Sequence, residues 1–454
     1  MDWLHSVLSG SPYVKSMVYC TQVNVSGIQL LSDAAADVRR IIDLNRLFLE
    51  ETFKKVHADP EPAFMEFKTS KIIAEHLRKF GFEVKEGLGG TGIVGIMRNG
   101  DGPTVWYRAD MDALPIREET GLPYISTKVA RDHRGNDVPV AHQCGHDAHV
   151  AWLMGASIVM AKLKDRWSGT LVFIAQPAEE IIGGARAMVE DGLQKIVPHP
   201  DYVIGMHGST WLPTGSFDVT PGRRLAGTDQ LDVEFYGVGG HGSAPEYCKD
   251  PVLMAATAVM MYQNIVSRNV DPQEPAVLTV GAIQAGTAHN IIPDRALLMI
   301  NIRWWTQEVR KQMIESIERI SRSVAMAAGM PEGRMPAITC RGSSLPTIND
   351  VPLADMIKRS LACIAGPDRV SSVARPFMGS EDFPILFSGM QGVRSVFVEA
   401  GIVPPEVMEK AKENNVRFPY YAHQPEFYVD IKAIASGAEA ASMMLLGLLS
   451  EQET

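Results

Sequence analysis

The chain contains 454 residues, of which 46% are hydrophobic and 21% are charged. This composition is typical of a folded globular protein and excludes a disordered, collagen-like or membrane chain. At roughly 150 residues per domain, the length predicts two or three domains rather than one small binding module. The net charge is -10, and no basic stripe is present, so nucleic acid is not expected as a partner.

Three features bear on the compartment. The apolar stretch at 440–449 is about half the length needed to cross a bilayer, so no membrane span is predicted. The first 35 residues lack a basic segment followed by an apolar run and do not resemble a secretory signal. Five scattered cysteines, an odd number, argue against a disulfide framework. The cytoplasm is therefore the expected location.

The first part of the chain is predicted to contain two helices and a hairpin. Amphipathic periodicity predicts helices over 36–56 and 70–80. Apolar runs at 93–97 and 104–107 flank Arg98-Asn99-Gly100-Asp101. An Asn-Gly pair between two such runs predicts a β-hairpin.

A glycine-rich segment, Gly87-Leu88-Gly89-Gly90-Thr91-Gly92, matches the dinucleotide-binding fingerprint. That fingerprint requires a helix directly after the glycines, because the phosphate lies at the helix N-terminus. An apolar strand follows here instead, which favours a simple glycine-rich turn.

The next region alternates between helices and strands. The predicted order is a helix over 149–163, a strand over 171–174, a helix from Gly184 and a strand over 202–204. This alternation predicts an α/β architecture with a mostly parallel sheet.

Beyond Gly222 the pattern changes to strict alternation, which is typical of a strand with one open face. The elements that follow have the order β-α-β-β-α-β of the ferredoxin-like unit. We therefore expect residues 36–222 and 338–454 to form a larger α/β domain and residues 223–337 to form an inserted α+β domain. Residues 1–35 are an N-terminal extension to which the sequence assigns no role.

Residues that commonly bind metal ions follow the predicted strands. They are Asp110, Asp112, Cys144, His146, Glu179, Glu180 and His207. Sites in open α/β sheets form at the carboxyl ends of the strands, so these side chains are expected to converge. Cys144 and His146 cannot share a face of a regular helix and must lie where Gly145 allows a bend. There, a helix N-terminus and a bound cation would favour the Cys144 thiolate.

Each of these side chains alone has an ordinary structural explanation, such as a buried Cys or a satisfied core His. The adjacent Glu179 and Glu180 are harder to explain. Two carboxylates after a buried strand are costly without a cation or a raised pKa. At a metal centre, one carboxylate can bind the ion while its neighbour accepts a proton from water.

Several short segments resemble a known family. They are Tyr107-Arg108-Ala109-Asp110-Met111-Asp112-Ala113-Leu114-Pro115, Cys144-Gly145-His146-Asp147, Gln176-Pro177-Ala178-Glu179-Glu180, Gly239-Gly240-His241, Asn290-Ile291-Ile292-Pro293, Gly379-Ser380-Glu381-Asp382-Phe383 and His423. Over about residues 38–445, their order and spacing are similar to those of the two-metal enzymes of peptidase family M20. The resemblance is greatest to the amidohydrolase branch, which includes hippurate hydrolases and indole-acetyl-amino-acid hydrolases.

The resemblance implies two divalent metal ions, and the mixed donor set is compatible with zinc, manganese, cobalt or nickel. The implied metal ligands are Cys144, His146, Glu180, His207 and His423. Glu179 is the implied general base and then acid. His423 rests on the resemblance alone, because its neighbourhood by itself indicates only a loop. The inserted domain is implied to act as a lid, with His241 as a catalytic oxyanion contact and Asn290 as a substrate-binding residue.

A second set of residues is expected to support the site rather than bind metal: Asp110, Asp112, His149, Glu381 and Asp382. For His149, a surface position is the alternative. Gln143 departs from the family pattern, which often has a small residue at this position. That difference leaves the ligands intact but could alter the shape of the pocket.

The predicted activity is hydrolysis of the amide bond in a small N-acyl amino acid or similar conjugate, which gives a carboxylic acid and a free amino acid. A dipeptidase and an aminobenzoyl-glutamate-type hydrolase are alternatives with the same centre. A metal-containing binding protein without turnover is an alternative of another class, and the intact Glu179 argues against it. The resemblance also implies a homodimer or higher homo-oligomer formed through the inserted domain, with a lid histidine that can reach across the interface.

Overall fold

The computed structural model describes residues 25–132 and 135–450, with side chains from residue 31 onward. The helices are α1 (Val25–Ala58), α2 (Phe67–Lys79), α3 (His146–Lys162), α4 (Gly184–Glu190), α5 (Leu193–Ile196), α6 (Pro251–Asn264), α7 (Gln307–Ala327), α8 (Val351–Ala365), α9 (Pro405–Glu413) and α10 (Lys432–Ser450). The strands are β1 (Glu83–Leu88), β2 (Gly92–Asn99), β3 (Thr104–Asp110), β4 (Val129–Arg131), β5 (Asp137–Pro139), β6 (Gly169–Gln176), β7 (Tyr202–Pro213), β8 (Phe217–Asp218), β9 (Gly222–Leu225), β10 (Gly227–Tyr236), β11 (Gly240–His241), β12 (Val277–Ala285), β13 (Ile291–Ile292), β14 (Arg295–Trp304), β15 (Ala337–Ser344), β16 (Thr347–Asn349), β17 (Val370–Ser371) and β18 (Arg394–Val403). Of the predicted extension 1–35, residues 1–24 lie outside the described part, and residues 25–35 belong to α1.

A large sheet has the strand order β1-β2-β6-β3-β7-β18-β8-β17. Its central strands β6, β3, β7 and β18 run parallel to one another, whereas β1 and β2 at one edge are antiparallel and β8 pairs antiparallel with β18. The side chains of β3 and β6 are almost all buried, as expected for strands that helices cover on both faces. The predicted α/β class with a mostly parallel sheet is confirmed.

The predicted hairpin around Asn99-Gly100 is wrong. β2 and β3 do not pair with each other, because β6 lies between them and pairs antiparallel with β2 and parallel with β3. The Asn99 amide does not shape a tight turn but donates to the carbonyls of Lys164 and Trp167, at 2.7 and 2.6 Å, just before β6. A contact distant in sequence therefore overrides the local turn signal.

The glycine-rich segment forms the turn of a different hairpin. β1 and β2 pair antiparallel, with Leu88 opposite Gly92. Gly89 and Gly90 between them adopt φ values of 63° and 99°, which side chains rarely tolerate. The prediction of a glycine-rich turn is confirmed at this position.

Helix α10 is 19 residues long and apolar enough to cross a membrane by length and composition. However, 78% of its most apolar stretch is buried inside the protein, where it packs on α1, α3 and α8. The contact with α3 is close, because a Cβ added at Gly437 would lie 2.2 Å from the Trp152 ring. The Trp152 indole also donates to the Ala433 carbonyl at 2.9 Å. α10 therefore occupies the position of a core helix.

A second sheet has the order β12-β14-β10-β15, and every pair in it is antiparallel. Together with α6 and α7 it follows the ferredoxin-like order β-α-β-β-α-β. The two helices pack on it through a separate hydrophobic core that includes Phe235 and Met313. Asp250 caps α6 by accepting the backbone N–H groups of Val252 and Leu253.

Candidate metal centre

The carboxyl ends of three neighbouring strands carry the first predicted site residues. Asp110 ends β3 opposite Gln176, which ends β6 just before the two glutamates. His207 lies on β7, the other neighbour of β3. Parallel pairing therefore brings these three segments to one edge of the sheet, as predicted.

The bend between Cys144 and His146 is a single left-handed residue. Gly145 has a φ of 87°, and His146 is the first residue of α3. The His146 Nδ1–H donates to the Asp112 carbonyl at 2.9 Å, which leaves Nε2 facing the cluster. His207 follows the same pattern: its Nδ1–H donates to the Gly208 carbonyl at 2.8 Å, and its Nε2 lies 3.5 Å from the Cys144 Sγ. Such backbone bonds orient imidazoles that bind metal.

Two buried carboxylates shape the turn that carries Glu179 and Glu180. The Asp112 carboxylate accepts the backbone N–H groups of Glu179 and Glu180, at 3.0 and 3.1 Å. The preceding Ala178 has a φ of 49°, and its N–H donates to Glu66 at 2.9 Å. Asp112 thus braces the site, as expected, while Glu66 is a contributor that the sequence analysis missed.

All five predicted metal ligands lie in tight groups of donor atoms. Within each group, the donor atoms lie within 4.8 Å of one another: Cys144, Glu180 and His423; His146, Glu179 and Glu180; Asp110, His146, His149 and His207. His423 Nε2 lies 3.3 Å from Glu180 Oε2, and His146 Nε2 lies 3.9 Å from Glu180 Oε1. The loop that contains His423 is thus brought to the strand ends by the tertiary fold.

His149 occupies a supporting position, and the surface alternative is wrong. Its side chain is buried, and its Nδ1–H is bonded to Asp110. Its Nε2 accepts the Gly208 N–H at 2.8 Å, so neither ring nitrogen is free for a metal ion. Burial outweighs the nearby carboxylate and lowers the pKa of His149 to about 3, which keeps the ring neutral.

A buried ion-pair network lies on the other side of Glu179. Glu381 and Asp382 are both bonded to the Arg108 guanidinium, and their carboxylates lie within 4.8 Å of that of Glu179. Burial, followed by the Glu381 and Glu180 charges, raises the pKa of Glu179 well above its ordinary value. Glu180 behaves oppositely: burial is outweighed by the hydrogen bond from His423 together with the His146 and His423 charges, and its pKa is lowered. Neighbouring carboxyls whose pKa values diverge are suited to different roles.

His241 and Asn290 lie apart from this cluster. His241 lies on β11, and Asn290 directly precedes β13, the partner of β11; the Gly242 N–H donates to the Asn290 carbonyl at 2.8 Å. His241 is exposed, and its Nδ1 is bonded to the Ser243 hydroxyl at 2.7 Å. Among the described residues, no hydrogen bond or ion pair joins either side chain to the metal-type ligands.

The sequence analysis missed a buried histidine behind the site. His57 of α1 is bonded to Asp147 at 2.7 Å through Nδ1 and to Glu118 at 3.1 Å through Nε2. Asp147 directly follows His146. Only its position near the end of an amphipathic helix marks His57 in the sequence, and that pattern does not reveal partners so distant along the chain.

The cluster fits divalent cations. His146 Nε2 and Glu180 Oε1 are buried and have no hydrogen-bond partner, although such atoms are normally satisfied. Burial lowers the pKa of His146, but the Asp110 and Asp112 carboxylates outweigh burial and raise this pKa to about 10. The negative charge of the cluster therefore favours a bound cation. Burial and the nearby carboxylates raise the pKa of the Cys144 thiol well above its ordinary value. The helix N-terminus alone therefore does not produce the thiolate, and a cation must supply the compensating charge.

Comparison with known proteins identifies the family. The model of peptidase family M20/M25/M40 matches residues 106–446, which include most strands of the large sheet and the whole β12-β14-β10-β15 sheet. The chain belongs to this family. It is a metal-dependent hydrolase of amide or peptide bonds.

Individual relatives cover nearly the whole of this M20 enzyme. It is 35% identical to a hippurate hydrolase of Campylobacter jejuni over 91% of this chain and 99% of the relative. It is 31% identical to the IAA-amino acid hydrolase ILR1-like 2 of Arabidopsis thaliana over 88% of this chain and 84% of the relative. The YxeP protein of Bacillus subtilis, a dinuclear metal binding peptidase, superposes with a TM-score of 0.69 at 25% identity, over 90% of this chain and 99% of that one.

Proposed function

We propose that this M20 enzyme hydrolyses the amide bond of small N-acyl amino acids or related conjugates and releases a carboxylic acid and a free amino acid. The observation that carries the proposal is the convergence of five metal-type ligands beside the buried Glu179 carboxyl. A binding protein has no need for a proton carrier at that position. The names of the hippurate hydrolase and the IAA-amino acid hydrolase support the choice of substrate class.

Two divalent ions would be held by Cys144, His146, Glu180, His207 and His423. Cys144 lies near ligands on two sides. Its Sγ is 3.5 Å from His207 Nε2, and it also belongs to the group of donor atoms with Glu180 and His423. Zinc, manganese, cobalt and nickel all suit such a mixture of thiolate, imidazole and carboxylate. When bound, the ions would polarise the scissile carbonyl and lower the pKa of a water molecule.

In this proposal Glu179 moves the proton. Its Oε2 lies 4.0 Å from His146 Nε2, at the edge of the ligand set. It would accept a proton from the attacking water and donate it to the nitrogen of the leaving amine, for which its raised pKa is suited. His241 would donate a hydrogen bond to the developing oxyanion, and Asn290 would contact the substrate.

Among the described residues, no bond joins His241 to the ligands of its own chain, and this supports a homodimer. Large apolar side chains are exposed on and beside α6: Tyr247 at 79%, Leu253 at 67% and Met260 at 73%. β12, next to them, is an unpaired edge of its sheet. Exposed patches of this kind mark interaction sites. We propose that two inserted domains pair through this face and that His241 reaches the site of the partner.

The test is release of free amino acid from N-acetyl, N-benzoyl and indole-acetyl amino acids and from dipeptides. The protein is loaded in turn with zinc, manganese, cobalt or nickel, with a chelated control. Glu179→Gln should lower turnover roughly 10²- to 10⁴-fold and retain its metal. Glu119→Gln, an exposed change, should match the wild type. Cleavage of dipeptides alone would favour a dipeptidase, and substrate binding without any cleavage would favour a binding protein.

A further inference from the structure

Gln143 joins the two loops that carry ligands from opposite ends of the sequence. Its side chain is fully buried, directly before Cys144. Its carbonyl accepts the His423 N–H at 2.7 Å. Its Nε2 donates to the Gln424 and Pro425 carbonyls, at 2.9 and 2.7 Å. Three hydrogen bonds from one residue thus hold the segment 423–425.

This segment needs an external restraint. His423 has a φ of 67°, in the left-handed region that residues with a Cβ rarely adopt. It lies in a loop between α9 and α10 and is half-exposed, with a side-chain exposure of 51%. Among the described residues, the ring of His423 is bonded only to Glu180. Without the hydrogen bonds from Gln143, the loop would relax toward commoner backbone conformations, and the His423 imidazole would move with it.

The primary amide of Gln143 matches the two carbonyls. Both acceptors face one nitrogen, and an NH₂ group has two hydrogens for them. A carboxylate of the same shape would place a negatively charged oxygen against two carbonyl oxygens. A small residue, which relatives often have here, would leave both carbonyls without this donor. Gln143 is therefore a feature of this chain rather than of the shared ligand set.

We propose that Gln143 is a positioning residue for His423 and sets the affinity of the ion held by Cys144, Glu180 and His423. The ion held through His146 does not depend on this loop, because His146 is fixed by α3 and by the Asp112 carbonyl. Loss of the amide therefore weakens one metal position and spares the other. This inference rests on the two-ion centre of the proposed function.

The experiment is a stepwise cobalt titration of the metal-free protein, followed by absorbance and by calorimetry. Gln143→Glu keeps the shape and removes the donor, and Gln143→Ser provides a smaller second variant. Each variant should bind the ion held through His146 like the wild type. It should bind the ion held by Cys144, Glu180 and His423 at least roughly tenfold more weakly, as expected when a group that orients a ligand is lost. Thermal melting of the metal-free proteins confirms that both variants fold.

Two further variants make the result specific. Glu119 bonds the same Pro425 carbonyl through its backbone N–H, at 2.8 Å, so Glu119→Gln keeps that contact and should bind both ions normally. His423→Ala should no longer bind the ion that the wild type holds with Cys144, Glu180 and His423. Adding Gln143→Ser to His423→Ala should lower the metal affinity little further, because both changes act on the same metal position.

The outcomes separate the two proposals. Wild-type affinity for both ions in the two Gln143 variants, alongside a defect in His423→Ala, would overturn the role of Gln143 and leave the proposed function intact. A wild-type protein that binds fewer than two ions would overturn the two-ion centre and this inference together. Equal weakening of both ions by the Gln143 variants would also contradict the inference.

Discussion

Arg108 and Glu381 form a bidentate ion pair in the interior, with N–O distances of 3.1 and 2.6 Å. The same guanidinium also contacts Asp110 and Asp382, so one buried cation faces three carboxylates. These carboxylates link the region around Glu179 to the end of β3. Arg108 therefore balances the charge of three carboxylates beside the proposed metal site.

Arg108→Met should destabilise the protein by about 3–5 kcal/mol, because it leaves buried carboxylates without their partner. The measurement is equilibrium urea denaturation of wild type and variant at equal metal content. Arg98→Met is the matched control, since Arg98 pairs with Glu83 at 3.1 Å but both side chains are about half exposed. Arg98→Met should show no measurable loss of unfolding free energy. Equal losses in the two variants would contradict a stabilising role of the buried Arg108 ion pairs.

Removal of metal should lower the thermal stability of the wild type. The carboxylates and the Cys144 thiol of the cluster are buried together, and a cation compensates them in the folded state only. A ligand at a hundredfold excess over its Kd stabilises by about 2.7 kcal/mol for each site. Melting temperature should therefore rise with added zinc or cobalt after chelation. Cys144→Ala should respond much less, and an identical response would argue against Cys144 as a ligand.

How far the sequence predicted the site depends on how local each signal was. Glu179, Glu180 and His207 directly follow or lie on buried strands, so the parallel pairing already implied their convergence. His423 could not be placed in this way, because its position depends on hydrogen bonds to Gln143 on a distant loop. The hairpin around Asn99 was wrong for the same reason: the pairing partner β6 lies far along the chain.

The fold itself was largely predictable because its elements have strong periodicity. The alternation along β10 matches its half-buried pattern, and α2 lies close to the helix predicted over 70–80. Burial of polar side chains was less predictable. His57 and Glu66 are polar residues at or near helix ends, where exposure is the usual expectation, yet both are buried against carboxylates or backbone groups of the site.

Mixing two inactive variants should restore activity if His241 serves the partner's site. Alone, His241→Ala and Glu179→Gln should each be nearly inactive. A mixed dimer has one complete site, with Glu179 from one chain and His241 from the other. After unfolding and joint refolding at equal amounts, about a quarter of wild-type activity is expected for random pairing of a symmetric dimer. Activity no greater than the sum of the separate variants would place His241 in its own chain's site or outside the reaction.

The His57 bonds to Asp147 and Glu118 should make stability depend on pH. Burial opposes the charged ring, but these hydrogen bonds outweigh it and raise the pKa of His57 to about 9. The contribution of His57 to the free energy of unfolding is then complete below pH 6.5, the ordinary pKa of histidine, and is lost as the pH rises through 9. The difference in unfolding free energy between wild type and His57→Gln should therefore shrink by about 3 kcal/mol from pH 6.5 to pH 10. His76→Gln is the control, because burial lowers the pKa of His76 to about 4. The difference in unfolding free energy between wild type and His76→Gln should therefore stay constant above pH 7.5. A constant difference for His57→Gln as well would show that His57 is neutral in the folded protein.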